Sequence, residues 1–206
     1  MFDGLAGRTP GILDCERYRK YAVMAPFLAD SQEFVFEIRS SKLHRQPGEI
    51  CFPGGYIESG ESPLDAAVRE TMEELLIKKE QISVIAPLDV FVSPFNIMVT
   101  PYLAELFDFE FTFNKDEVES LFTVPFSFFI DHEPEIYYNQ VLSVPEQPEA
   151  VHQLLGTDSY NWNEGRYPVL FYRYEDKLIW GMTARFINNI VELYKMQHGK
   201  TTENEI

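Results

Sequence analysis

Three glutamates, Glu70, Glu73 and Glu74, stand at spacing i, i+3, i+4 within the stretch Gly54–Ile77. On a helix that spacing gathers them on one face within about one turn. Like charges so placed repel each other. They do so here in a chain of 206 residues that already carries 33 acidic against 17 basic residues, a formal net charge of −16. Taken alone, the three glutamates read as a solvated acidic face. The loop before them, Phe52-Pro53-Gly54-Gly55, changes that reading, because its glycines leave the backbone open to close approach. Oxygen donors on one helical face beside such a loop suit a hard divalent cation, Mg2+ or Mn2+, shared with substrate phosphates. A bound cation turns the repulsion into coordination.

The elements that must position these groups are legible around them. Ser62 is a good N-cap, Pro63 suits the first helical position, and Asp65 completes a box-like cap. Leu64, Ala67, Val68, Thr71 and Leu75 mark the core face of the predicted helix, with the glutamates about 120° away. Strands are expected at Tyr21–Leu28, Glu33–Arg39, Glu49–Phe52, Ile82–Phe91 and Met98–Phe113. The last of these includes Leu106-Phe107-Asp108-Phe109-Glu110-Phe111-Thr112-Phe113, which alternates with period two. Asp116–Ile130 is expected to hold short helices around Pro125. A hairpin turns at Glu175-Asp176. A final helix starts near Thr183, buries Phe186, Ile187, Ile190 and Tyr194, and stops at Gly199. The mixture lacks βαβ regularity, so the fold class is α+β. The chain reads as a single domain over 1–206, with a loose lead-in at 1–20, an irregular insertion at 131–167 and a fraying tail at 200–206.

The acidity argues against a nucleic-acid surface and against anionic lipid, so neither nucleic acid nor membrane is an expected partner. With two cysteines, Cys15 and Cys51, no disulfide framework is expected. The N-terminus lacks a signal-peptide pattern, and a cytoplasmic location follows as the expectation.

Gly55, Glu61, Arg69-Glu70, Glu73-Glu74 and Ile77 together resemble the Nudix box. The resemblance implies a Nudix fold, an α/β/α sandwich with a mixed sheet, and hydrolysis of a nucleoside diphosphate linked to another moiety. It makes Glu70, Glu73 and Glu74 the metal-binding glutamates and gives Gly55 a backbone carbonyl directed at metal. It makes Glu61 and Arg69 a pair bracing the loop against the helix. Leu76 stands where that family has a glycine that ends the helix in a left-handed conformation. Since a left-handed leucine costs roughly 1–2 kcal/mol, the helix is expected to run on to Lys78 or Lys79.

Upstream, Arg39, Ser40, Gly48 and Phe52-Pro53-Gly54-Gly55 resemble an element of coenzyme A pyrophosphatases, as does Trp180-Gly181-Met182-Thr183-Ala184-Arg185. His44 occupies that subfamily's arginine position, with Arg45 beside it, and Gln46 its histidine position. Arg39, Ser40, Lys42 and Arg45 are therefore expected to contact a substrate of the coenzyme A class, whose phosphates want basic donors. Glu70 and Glu74 are candidates for accepting the proton of the attacking water. Glu117 or Asp116 is a candidate for one further acid, with a cap acid at a helix start as the plainer role. The implied reaction is metal-dependent hydrolysis of coenzyme A or a derivative to 3′,5′-ADP and 4′-phosphopantetheine. The alternatives are a hydrolase of ADP-ribose, NADH or another nucleoside diphosphate derivative, and a Nudix module that senses a nucleotide without hydrolysis. A homodimer is the assembly allowed for.

Overall fold

The strands foreseen at Tyr21–Leu28 and Glu33–Arg39 form as β1 (Arg19–Leu28) and β2 (Glu33–Arg39) and lie at the centre of the molecule. The computed structural model describes residues 6–157 and 160–199. After β2 come β3 (Ile50–Cys51), β4 (Gly54–Tyr56), α1 (Pro63–Leu75), β5 (Ile82–Pro87), β6 (Phe91–Ser93) and β7 (Ile97–Leu106). The chain continues through β8 (Val118–Pro125), α2 (Phe126–Asp131), β9 (Glu135–Leu142), α3 (Pro148–Leu155), β10 (Glu164–Tyr174), β11 (Lys177–Trp180) and α4 (Gly181–Gly199).

The main sheet runs in the order β3-β2-β1-β7-β5, with β4 against β1, β6 against β7 and β8 against β2. β1 and β7 pair in parallel, from Arg19 opposite Ile97 to Phe27 opposite Glu105; the other pairs are antiparallel. Alternation along β1 serves two cores at once. Ala22 and Met24 pack with Ala66 and Ala67 of α1 and Ala104 of β7. Ala25 faces the other way, into a core shared with Phe34, Phe36, Phe129, Tyr172 and, on α4, Phe186, Ile187 and Ile190. α1 thus covers one face and α4 with α2 the other, and a second sheet, β11-β10-β9, joins them on the larger core. This is the expected α+β sandwich with a mixed sheet. Among the described residues no helix is long and apolar enough to cross a membrane.

Several expectations are corrected. The alternating segment after Leu106 is not strand, because Asp108 (φ 48) and Phe111 (φ 55) turn it out of the sheet. Its polar groups go instead to the end of α1, where the last carbonyls lack helical partners. Thr112 Oγ1 donates to Leu75 O at 2.7 Å, and the Asn114 amide donates to Glu74 O at 2.8 Å. Val118–Pro125 is a strand on β2 rather than short helices; only α2 follows Pro125. Segment 131–167 is not irregular, since it contributes β9, α3 and the start of β10. The lead-in ends early, because β1 already begins at Arg19. α4 begins at Gly181 rather than near Thr183, and the Thr183 hydroxyl donates to Ile50 O at 3.2 Å, tying that helix to β3. On α4, Tyr194 is half-exposed instead of buried. The tail expected to fray at 200–206 lies outside the described residues.

The exit of α1 departs furthest from expectation. The helix ends at Leu75, and Leu76 takes the left-handed conformation (φ 53, ψ 42) that the resemblance reserved for glycine. The Ile77 amide reaches Met72 O at 3.3 Å, the long bond of a Schellman motif. Burial explains the choice. Ile77 packs with Leu75 and Leu106, while the Leu76 side chain is 59% exposed. Reversing the chain at Leu76 buries Ile77 and leaves leucine to bear the left-handed strain. Leu76→Gly is therefore expected to stabilise the protein by about 1 kcal/mol. Chemical denaturation of the two proteins checks this, and a less stable glycine variant counts against it.

Candidate active site

The start of α1 forms as its sequence dictates. Ser62 Oγ accepts from the Asp65 amide at 3.1 Å, and Pro63 opens the first turn. Arg69 then fastens the preceding loop to the helix. Its guanidinium donates to both oxygens of Glu61, at 2.9 and 3.1 Å, and to Tyr56 O at 3.1 Å. It also donates to Glu70 Oε1 at 2.8 Å and, at 3.4 Å, to the more exposed Glu73. The pairing holds the Glu61 carboxyl below its ordinary range.

Glu74 turns inward. It is 3% exposed, and its Oε2 accepts from the Gly54 amide at 2.8 Å. Burial pushes its carboxyl up to about 10, helped by the nearby Glu37 charge and opposed by the Gly54 N–H. Burial also raises Glu70, against the pull of Arg69 and with the push of Glu73 and Glu117. Gly55 lies against the Glu70 carboxylate so closely that a Cβ there would fall on it. Only glycine allows that approach.

A cleft of about 770 Å³ opens beside this edge. Gly54, Gly55, Cys51, Arg39 and Arg45 line it. Tyr21, Phe95, Tyr167 and Val169 line it too, with Trp180 at the end of β11 and Gly181 and Thr183 at the start of α4. The structure therefore brings Arg39, Arg45 and Gly55 to the cleft. It does not bring Ser40, which is fully buried and whose Oγ accepts from the Lys42 amide at 3.4 Å. Nor does it bring Lys42, whose ammonium pairs with Asp116 at 3.0 Å on the surface. Of the two candidate extra acids, Glu117 is the one whose charge acts on Glu70 and Glu37. Both precede β8, so neither caps a helix start.

Sequence reasoning missed Glu37. It sits on β2 in the run Phe34-Val35-Phe36-Glu37 and is 1% exposed. Phe34 and Phe36 belong to the α4-side core, so Val35 and Glu37 face α1. Cys51, its register partner on β3, donates from Sγ to Glu37 Oε1 at 3.2 Å. Burial pushes the Glu37 carboxyl up to about 7 and raises the Cys51 thiol well above its ordinary value. A lone acid inside a run of apolar strand residues was the available signal.

The donor chemistry suits a divalent cation: Glu74 is buried, Glu70 partly so and Glu73 exposed, the Glu73 charge raises the Glu70 carboxyl, and the Glu70 charge raises that of Glu74. As they stand, no three His, Cys, Asp or Glu side chains among the described residues are gathered to hold one. Glu70 is engaged by Arg69 and Glu74 by the Gly54 amide.

The family model of the NUDIX domain matches residues 18–138. The mouse protein "Peroxisomal coenzyme A diphosphatase NUDT7" is 35% identical over 128 residues, covering 60% of this chain and 53% of that protein. The Caenorhabditis elegans "Peroxisomal coenzyme A diphosphatase ndx-8" is 36% identical over 98 residues, 46% of this chain and 42% of that protein. "Uncharacterized Nudix hydrolase NudL" of Enterobacter sp. (strain 638) is 27% identical over 175 residues, 84% of this chain and 81% of that one. The matched part spans about half the length of the two diphosphatases. The family model spans more than half of this chain and takes in both the braced loop and the carboxylate helix: the chain belongs to the Nudix family.

Proposed function

We propose that this protein hydrolyses the diphosphate bond of coenzyme A or a derivative, with Mg2+ or Mn2+, to 3′,5′-ADP and 4′-phosphopantetheine. The observation that carries the reading is the make-up of the cleft. It brings together Gly54 and Gly55, the neighbours of the Glu74 and Glu70 carboxylates, the guanidinium groups of Arg39 and Arg45, and the aromatic side chains of Tyr21, Phe95 and Trp180. A substrate with anionic phosphates between a nucleoside and a less polar arm suits that combination of basic and aromatic groups. The names of the mouse and nematode relatives point the same way.

In this reading Glu70, Glu73, Glu74 and the Gly55 carbonyl hold the cation, and Glu117 is the further acid. When bound, the cation neutralises the diphosphate and lowers the pKa of the attacking water. Glu70 or Glu74 accepts that water's proton. Glu61 and Arg69 keep the loop seated on α1. Glu70 must leave Arg69 to serve, and Arg69 keeps its two bonds to Glu61 when it does. Arg39 and Arg45 meet substrate phosphates, since a guanidinium presents paired donors to phosphate oxygens. We place the protein in the cytoplasm; the names of the two diphosphatases are peroxisomal, and fractionation of the native protein decides.

The test is a mass-spectrometric product survey with coenzyme A, acetyl-coenzyme A, ADP-ribose, NADH and diadenosine polyphosphates, with and without Mg2+ or Mn2+. Coenzyme A cleaved only with metal is the expected result; ADP-ribose or NADH as the better substrate overturns the assignment. Within the same survey, Arg39→Ala is expected to raise KM for coenzyme A about tenfold or more with a smaller change in kcat. A pure loss of kcat would remove Arg39 from ground-state phosphate binding.

A further inference from the structure

Glu37 has a feature that the reaction just proposed does not use. Its Oε1 takes the Cys51 thiol, but Oε2 is buried without a hydrogen-bond partner. A buried carboxyl oxygen left unsatisfied is costly, and such a group in a folded protein calls for an ion, a water or a function. The charges around it say which. The ionisable groups whose charges act on Glu37 are Arg39, Glu117 and Glu70, and Glu37 in turn is the strongest charge acting on Glu74. Four carboxylates are therefore linked through their charges beside a single guanidinium, Arg39, although as they stand no three of them are gathered to hold an ion. The other nearby arginine, Arg69, is taken up by Glu61 and Glu70. Arg39 does not settle the imbalance, because its own Nε is buried and unpartnered rather than bonded to Glu37.

We propose that Glu37 is a member of the cation-holding acidic set, facing it from β2 while Glu70 and Glu74 face it from α1. This rests on the metal-dependent reading above. A hard dication is the ligand that suits a buried acid with a free oxygen amid other acids. The sheet holds Glu37 with β3 on one side and β8 on the other, so its carboxyl is fixed on the face of the sheet that α1 covers. The thiol hydrogen bond fixes one oxygen and leaves the other for the ion or for a water bound to it.

The readout is Mn2+ affinity, followed by electron paramagnetic resonance of the free ion during titration of the purified protein without substrate. Four proteins are compared: wild type, Glu37→Gln, Glu37→Met and Glu74→Gln. Glu37→Gln keeps the shape. Glu37→Met removes the buried charge with similar volume, so it keeps a folded protein available should the glutamine variant fail to fold. The expected result is Mn2+ binding weakened by about 10- to 100-fold in the Glu37 variants, with melting temperature held or raised. Unchanged affinity in folded Glu37 variants, alongside weakened binding in Glu74→Gln, overturns this inference and leaves the metal reading intact. No Mn2+ binding by wild type, or none lost in Glu74→Gln, overturns both.

Discussion

Glu74→Gln is expected to lower kcat by about 10²- to 10⁴-fold while leaving the fold intact, the range typical for loss of a positioned acid or base. Glutamine keeps the side-chain length, and its carbonyl still accepts from the Gly54 amide that Glu74 Oε2 now takes. What it loses is the capacity to give up a proton and take on negative charge when a cation binds. The same substitution has a signature in stability. Burial, then the Glu37 charge, raise the Glu74 carboxyl from 4.5 to about 10. The folded protein therefore keeps a proton that the unfolded chain releases above 4.5. The resulting stabilisation is complete below that value and is lost as pH rises towards about 10. Without divalent metal, wild type should melt progressively lower from pH 5 to pH 9, and Glu74→Gln should lose less over the same interval. Melting curves in chelator, together with steady-state rates in saturating Mn2+, test both halves. Wild-type rates in the variant would remove Glu74 from the chemistry.

The second large effect is structural. Gly54→Ala is expected to destabilise the protein by about 3 kcal/mol or more, a severe value whose mechanism is overpacking against backbone. In the β1–β4 pair Gly54 stands opposite Val23, and an added Cβ would sit 2.6 Å from the Val23 Cα and against the Ala22 carbonyl. Neither can move without parting the strands, and the Gly54 amide would be dragged from Glu74. The neighbouring substitution acts differently. At Gly55 the obstacle is the movable end of Glu70, 2.6 Å from the added Cβ at Oε2. Gly55→Ala should keep most of its stability and lose activity because Glu70 is displaced. Thermal melts and rates on the two variants separate these outcomes. A Gly54→Ala protein melting like wild type would contradict the strand contact.

Where local pattern and tertiary demand agree, the sequence is readable. Ser62-Pro63 starts α1 because nothing else competes for those residues, and Glu61 with Arg69 meet because a helix brings Arg69 back over its own entry loop. Arg39 and Gly55 also reach the cleft, from the end of β2 and from β4. The failures have a common cause. The period-two segment after Leu106 has a strand pattern, but the unpaired carbonyls at the end of α1 claim Thr112 and Asn114. Leu76 is a poor left-handed residue, but burial of Ile77 outweighs its preference. Lys42 looked like a substrate cation by proximity to Arg39, yet the turn at Ser40 carries it round to Asp116. Glu37 shows in the sequence only as a lone acid in an apolar run, because its meaning depends on β3, β8 and α1 at once.

The parallel pairing of β1 with β7 has a consequence for how the protein comes to exist. Residues 19–27 leave the ribosome long before residues 97–105, with which they must pair. α1 is synthesised between them, and the alanines on its buried face rest on Ala22 and Met24 of β1 and Ala104 of β7. Until β7 emerges, that helix has half a floor, and a helix of its length is marginal by itself in water. Until β7 docks, the nascent chain therefore carries the acids of α1 on a helix without its full seat. Such long-range closure slows folding. It also ties the site to the stability of the whole, since an opening that frees β7 dissolves the seat of α1 in the same event.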